Sequence, residues 1–407
     1  MQNNPSPKTQ PQLELIPLRP GVSAHRPLPV LLRIHTPEPQ ERPERPLLNL
    51  ALVLDRSGSM GGSKLKFAKE AAIYAVHNLL PEDRVAVVIY DNSVEVLVPS
   101  TLVGEQRGRI AELIGRICTG GSTALHAGWL EGATQVAAYQ ETGRLNRVAL
   151  LSDGLANVGE TNPKVITEQV RGLAQRGIST STLGVGLDYN EDLMTAMAEA
   201  GEGNYYFIES PADLPRIFAQ ELAGLAGTLG IRVRLRLGPQ ARLLNELERE
   251  ASGDYVLPSL VAGIPLEFLL ELEAPAGPEA SWHLELGWET PAGQRERLEA
   301  TLRLPVLEAA EFERLEAHPE VSAMVARHEA TRARQRAMRA LDENDLQGTR
   351  RELEDALRRL DPIPGLEEEK EELRLLLERA EYSPQFTRKT LSSQVFLSNT
   401  GRKNKNS

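Results

Sequence analysis

From Leu47 onward, short apolar runs alternate with stretches in which apolar residues recur every three or four positions. The runs NLALVL (49–54), VAVVIY (85–90), VALL (148–151) and STSTLGV (179–185) predict strands. Residues 63–80, 105–117, 125–142, 163–177 and 190–200 predict the helices between and after them, with Phe207 and Ile208 in a last strand and 211–225 in a last helix. Strand and helix in this alternation predict a doubly wound, Rossmann-like α/β fold whose mostly parallel sheet is covered on both faces.

Outside this segment the period changes. Residues 13–18 and 28–35 predict two short strands separated by the turn-forming RPGVSAHRP, and 37–46 reads as a linker rich in proline and charge. Beyond Gly230 the period falls to two: IRVRLRL places Ile231, Val233, Leu235 and Leu237 on one face and three arginines on the other. IPLEFLLEL, SWHLELGWE and ERLEATLRL repeat that texture, which predicts an antiparallel β-sandwich. Two N-terminal strands cannot be stable alone, so they are expected to join this sandwich and leave the α/β domain as an insertion between its parts. The expected organisation is N-terminal strands over 12–46, the α/β domain over 47–227, the sandwich over 228–306, about three charged helices over 307–382, and a basic tail over 383–407. Breaks are expected near Pro319, at 342–345 and at DPIPG (361–365). The tail carries Arg388, Lys389, Arg402, Lys403 and Lys405 without an acid, has little apolar content, and is expected to be mobile or an extended packing arm.

Composition narrows the function. A chain of 407 residues that is 41% hydrophobic can bury large cores, and its formal net charge of −11 disfavours a general nucleic-acid binder, whose phosphate contacts need a basic face. No apolar run reaches the roughly 18 residues that span a bilayer, and MQNNPSPKTQPQ lacks a secretory signal, so a cytoplasmic location is expected. The single cysteine, Cys118, excludes an internal disulfide and a cysteine-based zinc site.

In an open parallel sheet, ligands gather beyond the carboxyl ends of the strands. The first long strand is followed there by Asp55-Arg56-Ser57-Gly58-Ser59, the third by Ser152-Asp153-Gly154, and between them lies Gly120-Gly121-Ser122-Thr123. Two carboxylates and three hydroxyls supply hard oxygen donors suited to Mg²⁺, Mn²⁺ or Ca²⁺, with nothing soft enough to favour zinc or copper. The same residues could instead cap helices and end strands, as Ser, Thr and Asp often do.

These three segments together resemble the von Willebrand factor type A (VWA) family and its metal-ion-dependent adhesion site. Asp55, Ser57 and Ser59 match its Asp-x-Ser-x-Ser motif, Thr123 its loop threonine and Asp153 its later aspartate. The resemblance runs from about Leu47 to Leu225, and STLGVGLDYNEDLMTAMAEAGEGNYYFIES resembles the bacterial branch. It implies a divalent cation, usually Mg²⁺, held by those five residues, and binding of a protein partner. Because two carboxylates just balance a 2+ ion, the metal keeps room for an acidic side chain from that partner. Loops at 60–62, 125–126 and 155–160 would then set specificity. The family also implies a MoxR-type AAA+ ATPase as a possible partner.

The expected function is therefore a non-enzymatic scaffold for metal-dependent protein binding. Two alternatives stay open: a Mg²⁺-dependent phosphoryl hydrolase using Asp55, and a domain whose metal is purely structural. The first lacks the second acid that phosphoaspartate chemistry wants, since Ser57 occupies that place. Neither a G-x-S-x-G elbow nor a P-loop is present, and GVG (184–186) is too short for a dinucleotide fingerprint. Cys118 and His126 flank Thr123 and could suggest a thiol nucleophile with its base, but Cys118 follows Ile114 and Ile117 and reads as a packed thiol. His77, beside Val76 and Leu80, reads as a structural residue of its helix.

Overall fold

A computed structural model of the chain describes residues 10–38, 45–274 and 277–402. Most of the expected linker 37–46 and the tail residues Lys403 and Lys405 lie outside them. In chain order the elements begin with β1 (Gln12–Pro17), β2 (Val22–Ser23) and β3 (Leu28–His35). There follow β4 (Leu47–Asp55), α1 (Ser63–Asn78), β5 (Arg84–Tyr90), β6 (Val94–Leu102), α2 (Arg107–Gly115), α3 (Leu125–Ala137), β7 (Arg144–Ser152), α4 (Pro163–Gln175), β8 (Ile178–Val185), α5 (Glu191–Ala200), β9 (Tyr205–Ile208) and α6 (Leu214–Ala226). The remainder comprises β10 (Thr228–Leu237), β11 (Ala241–Leu243), β12 (Tyr255–Leu257), β13 (Leu260–Val261), β14 (Leu266–Leu272), β15 (Glu279–Glu289) and β16 (Arg295–Leu307), then α7 (Ala309–Arg314), α8 (Pro319–Asp342), α9 (Leu346–Leu360), α10 (Glu367–Arg379) and α11 (Pro384–Asn399).

The chain forms two compact units. The α/β unit holds the described residues from 45 to 232 together with 289–294. Its sheet has the order β6-β5-β4-β7-β8-β9, parallel throughout except for β6, which runs antiparallel to β5. LLNLALVLD is apolar without alternation because β4 is covered on both faces. Leu48, Leu50, Leu52 and Leu54 share a core with α1, α2 and α6, each such leucine contributing about 1.5–3 kcal/mol on full burial. Ala68, Ala71, Ala72 and Ala75 give α1 a smooth buried stripe on that face. On the other face α3 comes so close that a Cβ on Gly132 would lie 2.3 Å from Val53 Cγ2. The sequence reading missed β6: its Pro99 weakens a strand pattern, yet an edge strand tolerates proline because one side has no ladder to complete.

One buried polar network ties this sheet to α6. Glu221 is 4% exposed. Its Oε1 accepts from Ser181 Oγ at 2.6 Å, and its Oε2 from Asn204 Nδ2 at 2.6 Å and Tyr206 Oη at 2.8 Å. Arg147 Nε stands 3.8 Å from Oε1. Burial alone would push this carboxyl up, but Arg147 and the three donors hold it below the usual carboxylate value.

The second unit holds the described residues up to 38, 233–288 and 295–402. The N-terminal strands join strands from beyond residue 240 in a sheet of order β1-β3-β14-β11, with Leu32 paired to Leu15 on one side and Phe268 on the other. A further sheet has the order β12-β10-β15-β16-β2, with β13 on β10. In β15, Ala280, Trp282, Leu284, Leu286 and Trp288 form the buried face, as period two requires.

Breaks near Pro319, 342–345 and 361–365 fall as expected, but the helices of 307–382 are α7 to α10 rather than three, the short α7 preceding Pro319. Ala326, Ala330, Ala333 and Ala337 of α8 pack against Leu353, Ala356 and Leu360 of α9 and Leu373 and Leu376 of α10. The tail packs, as one of its two expected forms would, but residues 384–399 do so as the helix α11 and not as a mobile or extended segment. Its few apolar residues, Leu391 and Phe396, are buried where α11 packs on α8, so position rather than number decides. Lys389 is 2% exposed and Arg388 pairs with Asp342 at 2.5 Å, so these bases are not a solvated end.

Candidate metal centre

The chain runs outward from β4 through β5 to β6 on one side and through β7, β8 and β9 on the other. The crevice where loops diverge therefore opens beyond the carboxyl ends of β4 and β7. Leu54 lies opposite Leu151 in parallel register, so Asp55, the last residue of β4, stands beside Ser152, and Asp153 follows directly. The third segment is tied in by its backbone: Gly120 N donates to Arg56 O at 2.6 Å, Gly58 N to Gly121 O at 2.8 Å and Ala124 N to Asp91 O at 2.7 Å. Only glycine permits this approach at 120, where a Cβ would sit 1.8 Å from Asp91 Oδ2.

The five sequence-predicted residues come together. Ser57 N donates to Asp55 Oδ1 at 2.8 Å and Ser152 Oγ to Asp55 Oδ2 at 2.7 Å. Ser57 Oγ and Ser59 Oγ are 3.1 Å apart, and Ser59 Oγ donates to Asp153 Oδ1 at 2.7 Å. A Cβ on Gly154 would lie 3.2 Å from Thr123 Oγ1 and 3.6 Å from Ser59 Oγ, so both hydroxyls flank the same backbone atom. Asp55 and Asp153 are fully buried, Ser57 and Thr123 nearly so, and Ser59 is exposed. The carboxylates thus form the floor and Ser59 the rim.

Charge is unevenly balanced on that floor. Lys64 of α1 donates to Asp153 Oδ2 at 2.5 Å, with Asp188 Oδ2 at 4.0 Å from the same ammonium. Asp55 has hydrogen-bond donors but no cation beside it among the described residues. Burial raises its pKa and the Asp153 charge adds to this, against the lowering effect of Ser57 and Ser152. The buried Tyr90 phenol is pushed well up by burial first and by Asp55 second, and its hydroxyl donates to Leu151 O at 3.0 Å. A buried carboxylate without a counter-charge, beside three hydroxyls and a second carboxylate, is a donor set that fits a hard divalent cation. No group of three or more His, Cys, Asp or Glu side chains placed to hold a metal occurs among the described residues, so a cation here would depend on serine and threonine oxygens.

Other candidates separate. Cys118, expected to be packed, is exposed, because Ile114 and Ile117 turn inward and leave the next residue outside. Its Sγ donates a hydrogen bond to Arg116 O at 3.4 Å, while His126 Nε2 lies 2.7 Å from Gln169 Oε1, so the two do not form a nucleophile and base. His77 is exposed on α1 rather than part of its packed face. In the specificity loops, Met60 and Leu125 are buried and unavailable, whereas Leu155 is 56% exposed. Sequence reasoning missed Lys64, and Ser152 as the second donor to Asp55. It also missed Asp91, which pairs with Arg56 at 3.2 Å and whose position just after β5 was the available signal.

Fold and site together define a doubly wound α/β domain with an oxygen-rich edge. The von Willebrand factor type A domain model matches residues 49–220, which supports that family for this segment. Domains of the family generally take part in protein–protein interaction, and some homologues bind metal at a metal-ion-dependent adhesion site. The chain is 31% identical over 198 residues to the protein sll0103 of Synechocystis, covering 48% of this chain and 46% of that one. It is 30% identical over 196 residues to YfbK of Escherichia coli, covering 48% and 34%. Human inter-alpha-trypsin inhibitor heavy chain H3 is 31% identical over 192 residues, covering 44% and 21%. The chain thus spans less than half the length of these relatives. Among solved structures, a von Willebrand factor type A protein from Catenulispora acidiphila aligns over 99% of both chains at a TM-score of 0.75 and 20% identity. The ArnB paralog VWA2 from Sulfolobus acidocaldarius aligns over 97% of this chain and 100% of its own at 0.66 and 15% identity. The shared fold therefore extends well beyond the α/β unit.

Proposed function

We propose that this protein is a non-enzymatic scaffold that captures a partner protein through a divalent cation held at the β4–β7 crevice. The observation that carries this reading is the convergence of Asp55, Ser57, Ser59, Thr123 and Asp153 from three distant segments into one cluster. In this reading the five residues make up a complete metal-ion-dependent adhesion site. When bound, the ion, Mg²⁺ with Mn²⁺ or Ca²⁺ as substitutes, supplies a coordination position for an aspartate or glutamate of the partner. Asp55 and Asp153 anchor the floor, exposed Ser59 marks the open side, and Leu155 offers an apolar contact at the rim. Lys64 balances Asp153 when the site is free of metal and has Asp188 within reach as a second counter-charge.

Placement of Asp55 argues against the hydrolase alternative: it is buried and both its oxygens already accept hydrogen bonds, a poor start for a nucleophile. The exposed Ser59 argues against a purely structural ion. We further read the two sheets of the second unit as the faces of a β-sandwich that receives the α/β domain as an insertion. A cytoplasmic assembly of the bacterial type, with a MoxR-type AAA+ ATPase as partner, agrees with the family resemblance. Isothermal titration with Mg²⁺ tests the core claim: binding is expected for the native protein and its loss for Asp55→Ala, and equal binding by both removes the claim.

A further inference from the structure

In the second unit, strand β14 and helices α8, α10 and α11 wall a cavity of about 450 Å³, within the range of small-molecule sites. Arg334 of α8 lines it and is only 7% exposed. Its guanidinium makes no hydrogen bond or ion pair with any described residue, and its Nε is a buried donor without a partner. Gln394 of α11 lines the same cavity. Its Nε2 donates to Glu372 Oε2 at 2.9 Å, which fixes the sense of the amide and leaves the buried Oε1 without a donor. Buried polar groups are nearly always satisfied, so an orphaned cationic donor and an orphaned acceptor lining one cavity are unusual.

The rest of the lining says what would satisfy both. Arg327 is already held by Glu369 at 2.8 Å, and Glu267 accepts from Arg33 at 2.8 Å. Glu372 and Glu368 add negative charge on the α10 side, and Arg402, just beyond α11, adds positive charge. A multivalent anion such as phosphate would bring its excess charge against Glu368 and Glu372, a simple cation would face Arg334, and an apolar ligand would leave both orphans unsatisfied. The occupant must offer one acceptor carrying negative charge and one donor carrying positive charge.

We propose that this cavity binds a small zwitterion of the α-amino-acid class, whose carboxylate accepts from Arg334 and whose ammonium donates to Gln394 Oε1 in the field of Glu372. Burial disfavours the charge on Arg334, opposed only in part by Glu372 and Glu369, which gives the incoming carboxylate its role. The site is independent of the proposed metal centre, and metal binding there need not change.

Calorimetry and thermal shift on the full chain, with the complete set of proteinogenic amino acids as probes, decide the matter. At least one amino acid is expected to bind, with affinity reduced at least about tenfold by Arg334→Met and by Gln394→Leu. Acetate, methylammonium and inorganic phosphate, each lacking one pole or carrying excess charge, are expected to bind far more weakly. Without ligand, Arg334→Met is expected to melt no lower than the native protein, because it removes a buried charge that is only partly compensated. Should it fail to fold, Gln394→Leu decides alone, losing its preference for the amino acid over acetate. A cavity filled by water alone, with no amino acid bound, overturns the proposal. So does equal binding of acetate by the native protein, or undiminished binding by the folded variants.

Discussion

Asp55 and Asp153 are chemically identical side chains at the ends of neighbouring strands, yet their surroundings differ. Asp153 has the Lys64 ammonium at 2.5 Å, while Asp55 has hydroxyl and amide donors alone. A cation entering the cluster must therefore compete with Lys64 for Asp153. Replacing Lys64 with Met should raise Mg²⁺ affinity about tenfold, the effect of removing one like charge from a partly screened site. Titration calorimetry on the two proteins checks this, and weaker binding by Lys64→Met would assign the lysine a supporting role instead. The cluster of oxygen-bearing side chains was legible from the sequence because its chemistry is written in short motifs. Lys64 was not: a lysine in the first turn of a helix reads as solvated surface until α1 is seen to begin at the crevice. Cys118 was misread for the complementary reason, since apolar neighbours in sequence do not say which way a side chain points.

At the scale of elements, Glu221 shows how one polar residue locks helix to sheet. It closes α6 onto β7, β8 and β9 through Arg147, Ser181, Asn204 and Tyr206. Because its pKa is held below the unfolded value near 4.5, its stabilising effect is fully present above that pH and is lost as pH falls through the folded value. Glu221→Gln should cost roughly 3–5 kcal/mol at neutral pH by leaving Arg147 without its charged partner. The difference from the native protein should shrink steadily below about pH 4.5, where the native side chain also becomes neutral. Urea denaturation at several pH values measures both. The strands β4, β5, β7 and β8 were readable because burial on two faces writes an unbroken apolar run. The edge strand β6 and the helix α11 were not, because each depends on a neighbour the local pattern does not mention: the free edge beside Pro99 and the α8 surface under Leu391 and Phe396.

For the whole molecule, the chain leaves one unit, builds the other and returns. Strands β1 and β3 are fixed only when β14 arrives more than two hundred residues later, so a local signal could give their type and not their partners. Ligand linkage follows the same division. Mg²⁺ at about a hundred times its dissociation constant should stabilise the fold carrying the site by about 2.7 kcal/mol. Calorimetric scans in Mg²⁺ and in EDTA should therefore differ for the native protein and coincide for Asp55→Ala. Coinciding scans for the native protein would place any metal elsewhere.

By itself the sequence determined the periods, and with them the parallel sheet, the helices that cover it and the oxygen donors after β4 and β7, because side-chain alternation and strand-end chemistry are local properties. Only the tertiary structure decided that Lys64 reaches Asp153, that α11 is a packed helix and that Arg334 and Gln394 face one cavity unsatisfied. Each of these is a meeting of side chains remote in the chain, and no local pattern encodes the distance between them.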